Sequence, residues 1–144
     1  NSANIGYNLI TRYSKADYIC IDAPEAQLAT TDRQSNVETL VSRIIPERVQ
    51  CPRITVTHGK MGCVAYQAKK PPVRVPAFTK TVVDTVGAGD AFLAITSPLA
   101  AAGGDYEHIG FVGNAAGAIK VGTLGHRASI EKVPLMRFIT TLLK

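Results

Sequence analysis

Apolar residues recur along this 144-residue chain in two rhythms, short unbroken runs and helical spacing, and their alternation predicts a layered α/β protein. Ile5, Leu9 and Ile10 predict a helix over residues 3–13. Tyr18-Ile19-Cys20-Ile21 is a run of β-branched and aromatic type, the pattern of a strand buried on both faces. Asp22 closes it. Pro24 suits a first helical turn and Glu25 its positive end, so a helix is expected to about Ala29. Asp32 is expected to cap a longer helix through Val37, Leu40, Val41, Ile44 and Ile45, which Pro46 helps to end. A second strand follows at Ile54-Thr55-Val56-Thr57. Strand, helix and strand in that order imply a right-handed crossover and a parallel pair.

Gly59 and Gly62 bracket a tight turn into Cys63-Val64-Ala65-Tyr66, which predicts an antiparallel hairpin appended to the parallel strands. Val73-Arg74-Val75 reads as an edge strand, since Pro71, Pro72 and Pro76 exclude a central place. Three helical patterns complete the chain. The first carries Phe92, Leu93, Ile95 and Leu99, with a kink expected at Pro98; the others span about 106–121 and 130–143. No repeat, low-complexity tract or interdomain linker interrupts them, so residues 1–144 read as one unit.

Composition narrows the function classes. At 46% hydrophobic and 19% charged residues the chain has a globular balance. The net charge of +5 is spread over 16 Lys and Arg, of which Lys69-Lys70 is the only adjacent pair, so no nucleic-acid stripe is expected. No apolar stretch approaches a membrane span, and no charged-then-apolar leader opens the chain. Cys20, Cys51 and Cys63 are odd in number and lack zinc or redox spacing. They read as packing residues of a reducing, cytoplasmic compartment. His58, His108 and His126 have no partners at ligand spacing and read as surface or loop residues.

The chemistry concentrates in Asp84-Thr85-Val86-Gly87-Ala88-Gly89-Asp90-Ala91-Phe92. A glycine-rich turn running into an apolar helix aims backbone N–H groups at one point and adds the positive end of the helix dipole. Such a turn wants an anion. Asp90 stands at its mouth, where an acceptor hydroxyl lying between the carboxylate and a bound phosphate could lose its proton as it attacks phosphorus. A phosphate loop of the Gly-x-x-x-x-Gly-Lys-Ser/Thr type is absent, and Phe92 stands where a dinucleotide fingerprint wants a third small residue.

These residues resemble a known family. Asp84-Thr-Val-Gly-Ala-Gly-Asp90 is similar to the C-terminal signature of the PfkB, or ribokinase-like, carbohydrate kinases, and three further segments agree in type and order. Asp22-Ala-Pro-Glu25 resembles the family's Asn-x-x-Glu motif, with Asp in place of the commoner Asn. Thr57-His-Gly59-Lys-Met-Gly62 resembles its Thr-x-Gly-x-x-Gly strand end, and Asn114-Ala-Ala-Gly-Ala its small-residue helix beside the adenine. The glycine turn with the small residues after it is also similar to kinase domains of ADP-heptose synthesis proteins. Complete members are longer, and their N-terminal half, with a glycine-pair sugar motif and a small β lid, is not found here. The resemblance therefore implies a ribokinase-like, partial three-layer α/β/α fold that forms the C-terminal, nucleotide-binding part of a kinase domain, and a fragment whose missing half is its partner.

What the resemblance implies about residues can be set against plainer readings. Asp90 would be the general base and Gly87, Ala88 and Gly89 the anion hole, where the plain reading is a carboxylate that only offsets a helix dipole. Glu25 would hold Mg²⁺ through water, with Asp22 orienting water or phosphate beside it; each is equally a dipole partner, and Asp22 could instead face Lys60. Asp84 corresponds to a residue that binds a monovalent cation in some relatives. Thr57, Gly59 and Gly62 would border ribose or phosphate, or simply punctuate a hairpin. Gly113, Asn114, Ala115, Ala116 and Gly117 leave a shallow helix face for adenine or for close helix packing, and Gly122 and Gly125 would shape the loop over the base. The activity so implied is transfer of the ATP γ-phosphate to a hydroxyl of a sugar or sugar phosphate. The alternative is a nucleotide-binding module without activity, and a sheet edge left open by the missing half is a route to homo-oligomers.

Overall fold

The computed structural model describes residues 8–79, 81–122, 124 and 129–144. Four strands form one mixed sheet in the order β1 (Ile19–Asp22), β2 (Arg53–Thr57), β3 (Cys63–Gln67), β4 (Val73–Val75). β1 and β2 are parallel, β2–β3 and β3–β4 antiparallel, and β4 takes the outer place that its flanking prolines require. Along the strands, side chains divide between two faces. Ile19, Ile21, Ile54, Val56 and Val64 join Ala26, Leu40, Val41 and Ile45 in a dense core beneath the first helices. On the opposite face Cys20, Cys63 and Val75 meet Phe92.

The expected helix over residues 3–13 is replaced, within its described part, by a single 3₁₀ turn at Ile10–Arg12. Lys15 then forms an isolated parallel bridge with Gln50 before the chain enters β1. α1 (Ala23–Thr30) starts on a capping box: Asp22 Oδ1 accepts from the Glu25 amide at 2.7 Å and Glu25 Oε2 accepts from the Asp22 amide at 3.2 Å.

Asn36, not Asp32, caps the next helical segment, its Oδ1 accepting from the Thr39 amide at 2.8 Å. Asp32 instead closes a turn onto the Gln34 and Ser35 amides, which hold its carboxyl below the usual range. Nor does Pro46 end the segment. α2 (Val37–Thr39) passes through a π turn at Leu40–Ile44 into α3 (Ile45–Arg48), and the Ile45 amide reaches back to the Leu40 carbonyl. The wider turn spaces the ladder differently just where proline has no N–H to give.

α4 (Ala88–Ala101) and α5 (Tyr106–Val121) cover the second face, and α6 (Lys132–Leu142) packs on α5. α4 runs through Pro98 as one helix. A Cβ placed on Gly113 of α5 would lie 2.4 Å from Cζ of Phe92, so only glycine lets these two helices approach this closely. The outcome is the expected α/β architecture, a sheet with helices on both sides. Among the described residues no helix is long and apolar enough to cross a membrane.

Candidate functional site

The glycine turn places its amides unevenly. Asp84 Oδ1 accepts from the Val86 amide at 2.9 Å, and the Ala88 amide donates back to the Thr85 carbonyl at 3.2 Å. Gly87 caps α4 in the left-handed region, φ 76°, a conformation that favours glycine. The ladder begins with the Ala91 amide on the Gly87 carbonyl. Among the described residues the amides of Gly87, Gly89 and Asp90 have no acceptor, as expected at a helix start. The Ala88 amide thus serves the turn itself, and an anion would be left to its neighbours. A Cβ on Gly89 would meet no atom within 4 Å, and Asp90 is exposed. The mouth of the turn is open.

The sheet determines what shares that end of the molecule. Phe92 lies with Cys63 and Val75, while the Tyr18 hydroxyl reaches Thr96 one turn farther along α4. Cys63 is paired with Thr57, and Thr57 with Asp22 at the carboxyl end of β1. α4 therefore runs antiparallel to β1, and its start, with Asp90, points to the end occupied by Asp22, Glu25 and Thr57. Open α/β sheets bind ligands at such carboxyl ends.

At that end Asp22 is exposed and Glu25 half-buried. The capping box occupies Asp22 Oδ1 and Glu25 Oε2, and the second oxygen of each carboxylate has no protein partner among the described residues. No salt bridge there joins Asp22 to Lys60. Nor do three or more His, Cys, Asp or Glu form a metal-holding group among those residues. Two carboxylate oxygens without a protein partner among the described residues nonetheless suit Mg²⁺, which keeps most of its water and needs few protein ligands.

The nucleotide-side residues separate into two kinds. Thr57 is half-buried with its hydroxyl 3.5 Å from the Ile21 carbonyl, and Gly59 stands exposed in open space. Gly62 is buried, at φ 86°, where a Cβ would sit 2.0 Å from the Val75 carbonyl oxygen; it lets β4 close over the hairpin and faces no solvent. Asn114 is also turned inward, its Nδ2 donating to the Val75 and Pro76 carbonyls at 2.9 and 3.0 Å. Gly113, Ala115 and Ala116 are buried as well, and Gly117 alone in this stripe opens onto free space. Gly125 and His126 lie outside the described residues.

Burial pushes the Cys20 and Cys63 thiols up to about 12, away from the thiolate form that a nucleophile needs at neutral pH. Two surface grooves, of 690 and 670 Å³, lie at the far end of α1 and along α6, away from the glycine turn.

Residues 8–133 match the pfkB family carbohydrate kinases. The bifunctional protein HldE of Yersinia pestis (strain Pestoides F) is 33% identical over 116 residues, covering 79% of this chain and 24% of that protein. Arabidopsis thaliana ribokinase, solved with ribose and ATP, superimposes with a TM-score of 0.74 at 19% identity, over 85% of this chain and 40% of its own. Escherichia coli phosphofructokinase-2, solved with substrates and products, gives 0.76 at 16% identity, over 91% and 42%. The chain thus spans less than half the length of these relatives, but its own length is nearly all accounted for, and it belongs to the pfkB family of carbohydrate kinases.

Proposed function

We propose that this chain is the nucleotide-binding, base-bearing part of a kinase that moves the γ-phosphate of ATP to a hydroxyl of a sugar or sugar phosphate. The observation that carries the reading is the set of unpaired amides at Gly87, Gly89 and Asp90, opening beside an exposed carboxylate at the same end as Asp22, Glu25 and Thr57. Asp90 takes the proton of the acceptor hydroxyl as its oxygen bonds to phosphorus and the bond to the leaving ADP breaks. The amides hold the charge on the transferring phosphoryl oxygens, and the α4 dipole adds to them. Thr57 and Gly59 border the ribose or phosphates, and Gly117 offers the flat spot for the base.

Asp22 and Glu25 would hold Mg²⁺ through water; when bound, the ion would offset charge on the β- and γ-phosphates. Asp84, whose carboxylate shapes the turn, is the place for a monovalent cation. The acceptor pocket belongs to the part of the family domain that this chain does not include. Two features fit such a partner: the outer edge of β1 pairs with no strand among the described residues, and α4 exposes Leu93, Ala94, Pro98 and Leu99.

The second reading, a nucleotide-binding module inactive by itself, is favoured for the isolated chain by its 40–42% coverage of the two solved relatives. Calorimetry with MgATP followed by a sugar-dependent ADP assay, on this chain and on the longer protein, tests both. Binding by both with turnover only in the longer protein supports the proposal. Sugar-dependent ADP release by the short chain would remove the second reading, and no MgATP binding by either would remove both.

A further inference from the structure

Helix α4 must be held at one rotation and one height for the turn at its start to present Asp90 correctly. Its contacts with α5 and the sheet are almost wholly apolar, through Phe92, Ala100 and Ile95. Apolar contact is non-directional and tolerates small slides. Among the described residues a directional link comes from the segment before β1. The Tyr18 hydroxyl donates to Thr96 Oγ1 at 3.0 Å, and Thr96 Oγ1 donates to the Phe92 carbonyl at 2.8 Å. Among the described residues this is the hydrogen bond that joins α4 to the segment leading into β1. Thr96 is fully buried, as is Thr55, and the Thr55 hydroxyl and Cys20 thiol face the same phenol oxygen. Burial raises the Tyr18 phenol well above its ordinary value, so it stays a donor.

We propose that Tyr18 is a positioning residue for Asp90, acting through Thr96 and the first two turns of α4. The inference rests on the reading of Asp90 as base. Thr96 lies six residues beyond Asp90, or about 9 Å along the axis. Phe92, between them, is clamped twice, by Thr96 at its carbonyl and by Gly113 against its ring. A partly buried chain of two hydrogen bonds selects one arrangement where apolar packing allows several. The phenol thereby ties the strand that ends at Asp22 to the helix whose first turn carries Asp90. A displacement near 1 Å at a reacting group can cost on the order of 100-fold in rate.

The test compares Tyr18→Phe, Thr96→Val and Thr96→Ser with the parent. Amide hydrogen exchange in this chain reads the tether with no activity required, and Asp90→Asn turnover in the longer kinase reads the base separately. Tyr18→Phe and Thr96→Val should speed exchange at Ala91–Thr96 by about tenfold or more, relative to α6. In the longer kinase they should lower kcat with the nucleotide KM unchanged, and Thr96→Ser should restore both. Unchanged α4 exchange, an increase shared equally by α5 and α6, or loosened α4 amides with parental kcat would each overturn the proposal. If Tyr18→Phe fails to fold, the Thr96→Val and Thr96→Ser pair carries the same comparison.

Discussion

Gly113 lies flat against the ring of Phe92: a Cβ there would stand 2.4, 2.5 and 2.7 Å from three of its ring carbons. α5 can neither approach α4 more closely nor accept a larger residue at this point. Gly113→Ala is expected to destabilise the chain by about 1–3 kcal/mol, because the ring must leave a buried site. Urea unfolding of the purified chain measures this, and a midpoint equal to the parent's would show that the helices shift apart freely.

Asp90→Asn should leave MgATP affinity near parental while lowering turnover of the longer kinase by about 100- to 10,000-fold, the range for loss of a general base. Paired calorimetry and steady-state rates are the measurement. Parental turnover would exclude Asp90 as base.

Gly89→Ala separates folding from ligand binding. Because nothing stands within 4 Å of the added carbon, and alanine suits a helix better than glycine, thermal stability should hold or rise by up to about 1 kcal/mol. Nucleotide binding should weaken at least about tenfold as the methyl group enters the open mouth of the turn, a change of about 1.4 kcal/mol. Parental affinity would place the phosphates elsewhere.

Glu25 has two possible duties that a pair of variants can divide. Glu25→Gln keeps a side-chain acceptor for the Asp22 amide, so the capping box and the unfolding midpoint should persist, whereas Mg²⁺-dependent nucleotide binding should fall. Glu25→Ala should lose both, with a stability cost of about 0.5–2 kcal/mol. If Glu25→Gln binds MgATP like the parent, Glu25 is a capping residue and nothing more.

Two thiols set a pH dependence. Cys20 and Cys63 ionise near 9 when unfolded and only near 12 when folded, so unfolding releases protons as pH rises between those values. The stability they contribute is complete below pH 9 and is lost progressively above it. At pH 10 the loss is on the order of 1 kcal/mol per thiol. Urea midpoints at pH 8 and pH 10, with Cys20→Ser and Cys63→Ser as controls, check the sign. Native Cys63 should also resist maleimide at neutral pH.

Much of this was legible in the sequence because it depends on neighbours along the chain. The β1 run, Pro24 with Asp22 and Glu25, the hairpin at Gly59–Gly62 and the turn into α4 are all local patterns, and the structure builds each of them. Local signals also misled where two candidates competed. Asp32 and Asn36 are both good caps, but only Asn36 is followed directly by Val37 packed into the core. Pro46 looked like a stop because proline lacks an N–H, yet a π turn absorbed it within a segment already pinned by Leu40, Val41 and Ile45.

By itself the sequence determined the order of the elements, the amide-rich turn before Asp90 and the family to which the chain belongs, since backbone conformation and motif spacing are short-range properties. Tertiary structure alone decided which groups face outward. Asn114 and Gly62, which a motif places with the nucleotide, are turned to the Val75 carbonyl because a buried amide needs acceptors and β4 crosses at van der Waals range. It also decided that Asp90 and Asp22, 68 positions apart in number, share one end. That follows from antiparallel packing of α4 on β1 and from a Tyr18–Thr96 hydrogen bond that no spacing rule could reveal.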